Sequence, residues 1–249
     1  MSTLPEAPDL SVVIPAFNEE ERLGASLERI ISYLEGDRSG GYEILVVDDG
    51  SRDATAAVAG EFAGGGVRVL ELGRNRGKGA AIRRGVAASR GRRVLLTDAD
   101  LSAPIEELAK LESELGVAQV VLGSRAVAGS RITRHQPLYR ELMGKTFNKL
   151  IRLAGVWQIH DTQCGFKLLD GGAARNVFRR MITDGFAFDV ELVWLARRLG
   201  YRVVEVGVAW EDSPSSRVRV LADPPRMLLD ILRFRWHHRS LGRGSSRSE

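Results

Sequence analysis

Val94-Leu95-Leu96-Thr97-Asp98-Ala99-Asp100 is a short apolar run that empties into two carboxylates one residue apart. In an extended segment the side chains at i and i+2 share a face, so Asp98 and Asp100 converge while Ala99 turns away. Two hard oxygen ligands at the end of a buried strand suit a Mg²⁺ or Mn²⁺ ion that takes its other ligands from a substrate diphosphate. An isolated Asp-x-Asp is also common in solvated turns and helix caps, so the surrounding chain must decide. Two earlier segments share the design. Leu10-Ser11-Val12-Val13-Ile14-Pro15-Ala16-Phe17-Asn18-Glu19-Glu20 stops at a proline and turns polar before a helical pattern, and Glu43-Ile44-Leu45-Val46-Val47-Asp48-Asp49-Gly50-Ser51 ends in a carboxylate pair and a glycine turn. Apolar runs without polar alternation read as strands buried on both faces, hence a mostly parallel sheet flanked by helices. Ligands of such sheets bind beyond the carboxyl ends of the strands. Asn18, Asp48, Asp49, Asp98 and Asp100 are therefore predicted to meet along one edge.

Between these strands Leu23, Leu27, Ile30, Ile31 and Leu34 recur at helical spacing, and Ser51-Arg52-Asp53-Ala54-Thr55 supplies capping residues for a second helix. A third strand is predicted around Val67 to Leu72, a helix from Gly77-Lys78-Gly79, and a fifth strand near Gln119 to Leu122, with Pro104 opening the helix before it. Beyond that point the spacing predicts helices over Leu138 to Ala154, 172 to 181 and 189 to 199, and a strand over Arg202 to Trp210. The organisation expected is a loose tail over 1–9, one domain over 10–236 and a basic Gly/Ser/Arg tail over 237–249. Within the domain, 10–123 reads as a nucleotide-binding half, and 124–236 is expected to carry the acceptor side.

A chain of 249 residues, 44% of them hydrophobic, has ample material for one large α/β core. The longest apolar runs fall far short of the roughly 20 residues of a membrane span, and the N-terminus lacks a secretory pattern, so a cytoplasmic or peripheral location is expected. The single cysteine, Cys164, excludes an internal disulfide framework and reads as a small buried hydrophobe. A net charge of +4, carried mostly by arginine, favours phosphate-rich partners without choosing among nucleotide, nucleic acid and anionic lipid. Gly77-Lys78-Gly79 lacks the spacing of a P-loop. His237 and His238 have no other ligands near them in sequence and read as ordinary exposed residues.

Val13 to Glu20, Val46 to Ser51, Asn75-Arg76-Gly77-Lys78-Gly79 and Asp98-Ala99-Asp100 together resemble family 2 glycosyltransferases of the GT-A fold, a Rossmann-like nucleotide-binding architecture. Asp161-Thr162-Gln163-Cys164-Gly165-Phe166-Lys167 and Phe188-Asp189-Val190-Glu191-Leu192 narrow the resemblance to the branch of dolichyl-phosphate β-glucosyltransferases and dolichol-phosphate mannose synthases. The resemblance implies that Pro15, Ala16, Asn18, Glu19 and Asp48 line the nucleotide pocket, that Asp49 meets the base, and that Lys78 lies on the nucleotide side. It implies that Asp98 binds ribose or metal and that Asp100 ligates the metal. Arg125 and Arg140 match positions that hold the acceptor phosphate in the mannose synthases. Ser102 departs from those enzymes, which usually place a metal-binding glutamine there, and this shifts the expected donor from GDP-mannose towards UDP-glucose.

The chemistry implied is displacement at the anomeric carbon of a nucleoside-diphosphate sugar, aided by a Lewis-acid metal. A phosphate-monoester acceptor, with a second pKa of about 6, brings its own anionic nucleophile, so the enzyme need only aim it and compensate its charge. Arginine suits that task. A hydroxyl acceptor would instead need a general base, for which Asp161 and Asp189 are the candidates; both equally fit turn or helix caps. Arg125, Arg131, Arg134 and Arg140 also fit a solvated basic surface. Phe234 and Trp236 fit core or interface residues more often than membrane anchors, but Arg226, Arg233, Arg235 and Arg239 interleaved with them suggest contact with a membrane surface. The expected partners are thus a nucleotide sugar, a polyprenyl phosphate and a membrane face. The carboxylate set argues against nucleic acid as a partner, and the oligomeric state stays open.

Overall fold

A computed structural model describes residues 7–37, 40–134, 159–211 and 223–241. The three marker segments form parallel strands β1 (Leu10–Ala16), β2 (Tyr42–Asp48) and β4 (Arg93–Leu96), with β3 (Val67–Glu71) beside β2. Helices α1 (Glu20–Asp37), α2 (Thr55–Glu61) and α3 (Lys78–Ala88) connect them in the expected βαβ order. Pro104 precedes a 3₁₀ turn, Ile105–Glu107, that runs into α4 (Leu108–Leu115), and β5 (Val120–Ser124) follows. After the short β6 (Arg131–Arg134) come β7 (Lys167–Asp170), α5 (Gly171–Phe178), α6 (Phe188–Arg198), β8 (Val203–Gly207), β9 (Ala209–Glu211) and α7 (Asp223–His237).

Among the described residues, seven strands form one sheet in the order β3-β2-β1-β4-β7-β5-β8. All are parallel to their neighbours except β7, which runs antiparallel to both β4 and β5. Two apolar layers cover the sheet. Val13, Leu45, Val47, Val94, Leu96 and Leu122 face one, with α3, α5, α6 and α7; Val12, Ile14, Ile44, Val46, Leu95 and Val121 face the other, with α1 and α4. This two-sided burial explains the unbroken apolar runs in the sequence. Gly85 lets α3 lie directly on the sheet, since a Cβ there would stand 3.0 Å from Val47 Cγ2 and closer still to Val13.

Two features depart from the sequence reading. The segment predicted as one strand from Arg202 to Trp210 is two: β8 stays in the main sheet, whereas β9 leaves it and pairs with β6 in a separate two-stranded ribbon. Gly207 sits at the break, where any Cβ would collide with the backbone of Ala128 to Ser130. Strand β7 was not foreseen, because Lys-Leu-Leu-Asp is too short to show a period. The predicted helix from Leu138 to Ala154 and Arg140 lie outside the described residues. Among the described residues, no helix is long and apolar enough to cross a membrane.

Candidate active site

The carboxyl ends of β1, β2 and β4 bring their polar residues to one edge of the sheet. Asn18 adopts a left-handed backbone (φ 54°) just after β1 and binds the turn after β2: its amide donates to Ser51 Oγ at 2.9 Å and its Oδ1 accepts from Arg52 N at 2.8 Å. Glu19 N donates to Thr55 Oγ1 at 2.7 Å. Asp48 accepts from Ser51 N, at 3.2 Å through Oδ2. Asp49 accepts from Arg76 N at 2.7 Å and from Gly77 N at 2.8 Å, so both of its oxygens hold the loop that leads into α3. Burial raises its carboxyl above the usual range, partly offset by those two amides. In this arrangement Asp48 and Asp49 shape the loops, while Pro15 and Ala16 form the last rung of β1 against Val47 and Asp48.

Lys78, the first residue of α3, reaches the neighbouring strand end and pairs with Asp98 at 2.5 Å. Burial pushes the Asp98 carboxyl up, but Lys78 beside it, with Lys167 and Arg125 beyond, holds it below its ordinary value. Asp100 turns back on itself: its Oδ1 accepts from Ser102 N at 3.0 Å and from Ser102 Oγ at 2.9 Å, around Leu101 at φ 48°. Ser102 thus orients Asp100. The other Asp100 oxygen faces Arg22 Nη1 at 3.7 Å, and Arg22 also pairs with Glu19.

The antiparallel β7 completes the site. In its register Leu96 and Leu122 both lie opposite Lys167, so the start of β7 shares an edge with the carboxyl ends of β4 and β5. The preceding segment, from Asp161, thereby reaches the Asp98 edge. Asp161 forms a two-pronged ion pair with Arg125, Oδ2 to Nε at 2.7 Å and Oδ1 to Nη2 at 2.8 Å, and accepts from Arg125 N at 3.0 Å. Burial opposes its charge, but Arg125 outweighs it and holds the carboxyl down at about 2. Arg125 also lies 5.0 Å from the centroid of Trp210. Lys167, fully buried, donates to Cys164 O and pairs with Asp189 Oδ1 at 2.7 Å. Burial raises the Asp189 carboxyl, with Lys167 and Lys78 pulling the other way. Gly165 has no side chain for a spatial reason: a Cβ there would collide with the Asp98 carboxylate. A small cleft, with room for no more than about a water molecule, opens between Thr97, Asp98, Ser102, Gly165, Phe166 and Trp210.

Asp98, Lys78, Asp189, Lys167, Asp161 and Arg125 therefore form one alternating cluster of three carboxylates and three cations. The sequence reading included five of the six as site residues and missed Lys167. The signal was present, because Lys167 abuts an apolar run as Asp98 does, but at its beginning, as an antiparallel strand requires. Glu205 was missed too; it accepts from Asp161 N at 2.8 Å and Ser124 Oγ at 2.9 Å and so positions the Asp161 segment. Asp189 is not the helix cap: α6 begins at Phe188, and Asp189 lies in its first turn, turned inward to Lys167. His238 is not an exposed residue either. Its Nε2 lies 2.8 Å from the fully buried Glu191 Oε1, because the inner face of α7 delivers it there. Cys164 is buried as expected, with its thiol pushed up to about 11 by that burial.

As a metal cradle the edge offers the carboxylates of Asp98 and Asp100. No group of three His, Cys, Asp or Glu able to hold a metal occurs among the described residues. A donor set of one or two carboxylates is what Mg²⁺ uses when substrate phosphates complete its shell, so the residues present fit such an ion.

Residues 11–178 match the family described as glycosyl transferase family 2. The chain belongs to that family. Curated relatives of this family 2 chain include dolichyl-phosphate beta-glucosyltransferases of Drosophila melanogaster and Homo sapiens. Each is 38% identical, over 84% of this chain and 69% of the relative. The branch suggested by Asp161 to Lys167 and Phe188 to Leu192 is thus the one its relatives occupy. The transferase also shares its fold with the Mycobacterium tuberculosis glucosyl-3-phosphoglycerate synthase crystallised with Mn²⁺, UDP-glucose and phosphoglyceric acid. The TM-score is 0.66 at 22% identity, covering 91% of this chain and 79% of that one. The protein is a glycosyltransferase with a GT-A type α/β fold.

Proposed function

We propose that the protein transfers glucose from UDP-glucose to a polyprenyl phosphate of the dolichyl type, with inversion at the anomeric carbon and with a divalent metal. The observation that carries this reading is the state of the acceptor-side carboxylates. Asp161 has both oxygens engaged by Arg125, and with a carboxyl near 2 it is a poor proton acceptor at neutral pH. Asp189 is buried against Lys167. A hydroxyl acceptor would find no free base in this pair, whereas a phosphate monoester needs none. The names of the curated relatives support the same acceptor and sugar.

In the reaction a phosphate oxygen of the acceptor forms a bond to the anomeric carbon as the bond from that carbon to the diphosphate breaks, so an α-linked donor yields a β-linked product and UDP departs. Arg125, held rigid by Asp161 and Trp210, presents a guanidinium edge to the incoming phosphate. Asn18, Asp48 and Asp49 fix the three loops around the nucleotide. Lys78 holds Asp98 ionised, and Ser102 fixes the rotamer of Asp100. Asp100, with Asp98, would hold Mg²⁺ or Mn²⁺, which when bound supplies charge neutralisation to the departing diphosphate. Residues 10–123 carry the donor side and 124–236 the acceptor side, at a membrane face where the lipid resides.

The test is a turnover panel of UDP-glucose and GDP-mannose, each with Mn²⁺, Mg²⁺ or EDTA and with a short polyprenyl phosphate. Glucose moving to the lipid only in the presence of metal is expected. Transfer from GDP-mannose alone, transfer unaffected by EDTA, or donor binding without lipid product would overturn the donor, the metal or the acceptor respectively.

A further inference from the structure

Helix α7 is apolar on two opposite faces. Met227, Ile231 and Phe234, with His238 just beyond the helix end, point inward; Phe234 meets Trp194 at 5.8 Å between ring centroids. This face accounts for the docking of the helix on α6. The opposite face carries Leu228, Leu229, Leu232 and Trp236, which are 40%, 66%, 59% and 67% exposed. At 3.6 residues per turn these four form one stripe, bordered by Arg235 on one side and by Arg226 and Arg233 on the other. All three arginines are exposed, and Arg239 stands 4.3 Å from the Trp236 ring. The only acidic residue among the described side chains of this helix, Asp230, is half-buried and turned toward Gly185.

We infer that this outer face of α7 is a membrane-docking surface that binds an anionic bilayer with the helix lying in the interface plane. The inference deepens the proposed lipid-linked acceptor and rests on it. Leucines and a tryptophan at the centre with arginines at the rims are what an interfacial helix requires: apolar side chains enter the acyl boundary while guanidinium groups meet lipid phosphates. A second copy of the chain is a poorer occupant. A two-fold contact through this stripe would bring the arginine rims of both copies together with one half-buried carboxylate each to offset them. The placement also serves the site. Met227, on the first turns of α7, lies 4.0 Å from Gln163, two residues from Asp161, so a bilayer under α7 runs beside the acceptor edge.

The experiment is flotation of the full chain with vesicles of phosphatidylcholine alone or mixed with phosphatidylglycerol. It compares the native protein with Leu229→Ser/Leu232→Ser/Trp236→Ser and with Arg226→Gln/Arg233→Gln/Arg235→Gln. All six positions are exposed, and unchanged melting temperatures confirm that both variants fold. The native protein should bind the mixed vesicles. The apolar variant should lose roughly a hundredfold or more in partitioning, and the arginine variant roughly fivefold per charge removed on anionic vesicles only. On a short, water-dispersed polyprenyl phosphate the apolar variant should turn over like the native protein, while losing transfer to acceptor embedded in vesicles. Native protein that fails to float, or variants that float equally well, would overturn the surface, as would a dimer abolished by the apolar variant without vesicle binding. Transfer to the short acceptor in that case leaves the proposed function standing. Flotation without transfer to any polyprenyl phosphate removes the acceptor reading and leaves the docking surface.

Discussion

Replacing Lys167 by methionine should destabilise the protein by about 3–5 kcal/mol, the range for removing one partner of a buried ion pair. The side chains of Lys167 and Asp189 are 1% and 6% exposed, so solvent screens neither and no discount applies. Methionine preserves the apolar stem, including its packing near Phe188, so the loss is that of charge and of the hydrogen bond to Cys164 O. The penalty should depend on pH in a definite direction. Asp189 already ionises above its ordinary value because of burial, and losing Lys167 raises it further. A carboxyl raised in the folded state subtracts stability as pH climbs from its unfolded value towards its folded one. The deficit of the variant should therefore be smallest near pH 4 and grow towards neutrality. Urea denaturation at several pH values reads this directly, and at neutral pH the melting temperature should fall by roughly 10 °C. Lys167→Met/Asp189→Leu should regain most of the stability, because an apolar pair of similar volume replaces the ion pair without leaving a bare charge. A single variant that costs less than about 1 kcal/mol at every pH, or a double variant no better than the single, would refute the reasoning.

Asp161, held at about 2, should contribute about 2 kcal/mol above its ordinary ionisation range and lose it as pH falls from about 4 to 2. Asp161→Asn should flatten that acid limb of a stability–pH curve while lowering stability at neutral pH, where Arg125 is left unpaired. Gly165→Ala should impair turnover more than stability, because the new methyl group displaces the Asp98 carboxylate from Lys78; a kcat loss of roughly tenfold or more with a melting temperature within a few degrees is expected. Asp100→Ala should abolish transfer and leave the fold intact by circular dichroism, since the side chain binds only Ser102 and faces Arg22. Gly85→Ala should cost about 1–3 kcal/mol by overpacking α3 against Val13 and Val47.

The parallel half of the sheet was legible because burial on both faces leaves a direct imprint: apolar runs at Val12, Val46 and Leu95 with no polar alternation, each ending in the residues of the site. The reversal at β7 left no such imprint. Only two of its four residues, Leu168 and Leu169, are apolar, between Lys167 and Asp170, and only tertiary pairing with Leu96 and Leu122 makes the four a strand. The same limit hid the partners of the carboxylates. Asp98, Asp161 and Asp189 are visible as acids in the sequence, but which cation each meets depends on a register that brings Lys78, Arg125 and Lys167 together from three separate elements. His238 was misjudged for a related reason. The exposed and buried faces of α7 both carry large apolar residues, so periodicity alone assigns neither, and the packing of Phe234 on Trp194 decides.

The pairing of those charges bears on how the proposed reaction is driven. Three carboxylates and three cations leave the cluster near neutrality before any substrate arrives, so the negative charge of a diphosphate and a phosphate monoester must be met from elsewhere. Asp98 and Asp100 would hold a divalent cation that, when bound, would meet part of it on the donor side. On the acceptor side Arg125 can take a phosphate without releasing Asp161, because a guanidinium has five donors and the carboxylate occupies only two of its edge groups. Asp161 then serves to lock the guanidinium plane, a positioning role in which an acid near 2 is useful because it stays ionised. By this argument Arg125→Lys should fail despite its charge, since an ammonium offers no second edge once Asp161 is bound, and the failure should show in kcat with the vesicle affinity of the protein unchanged.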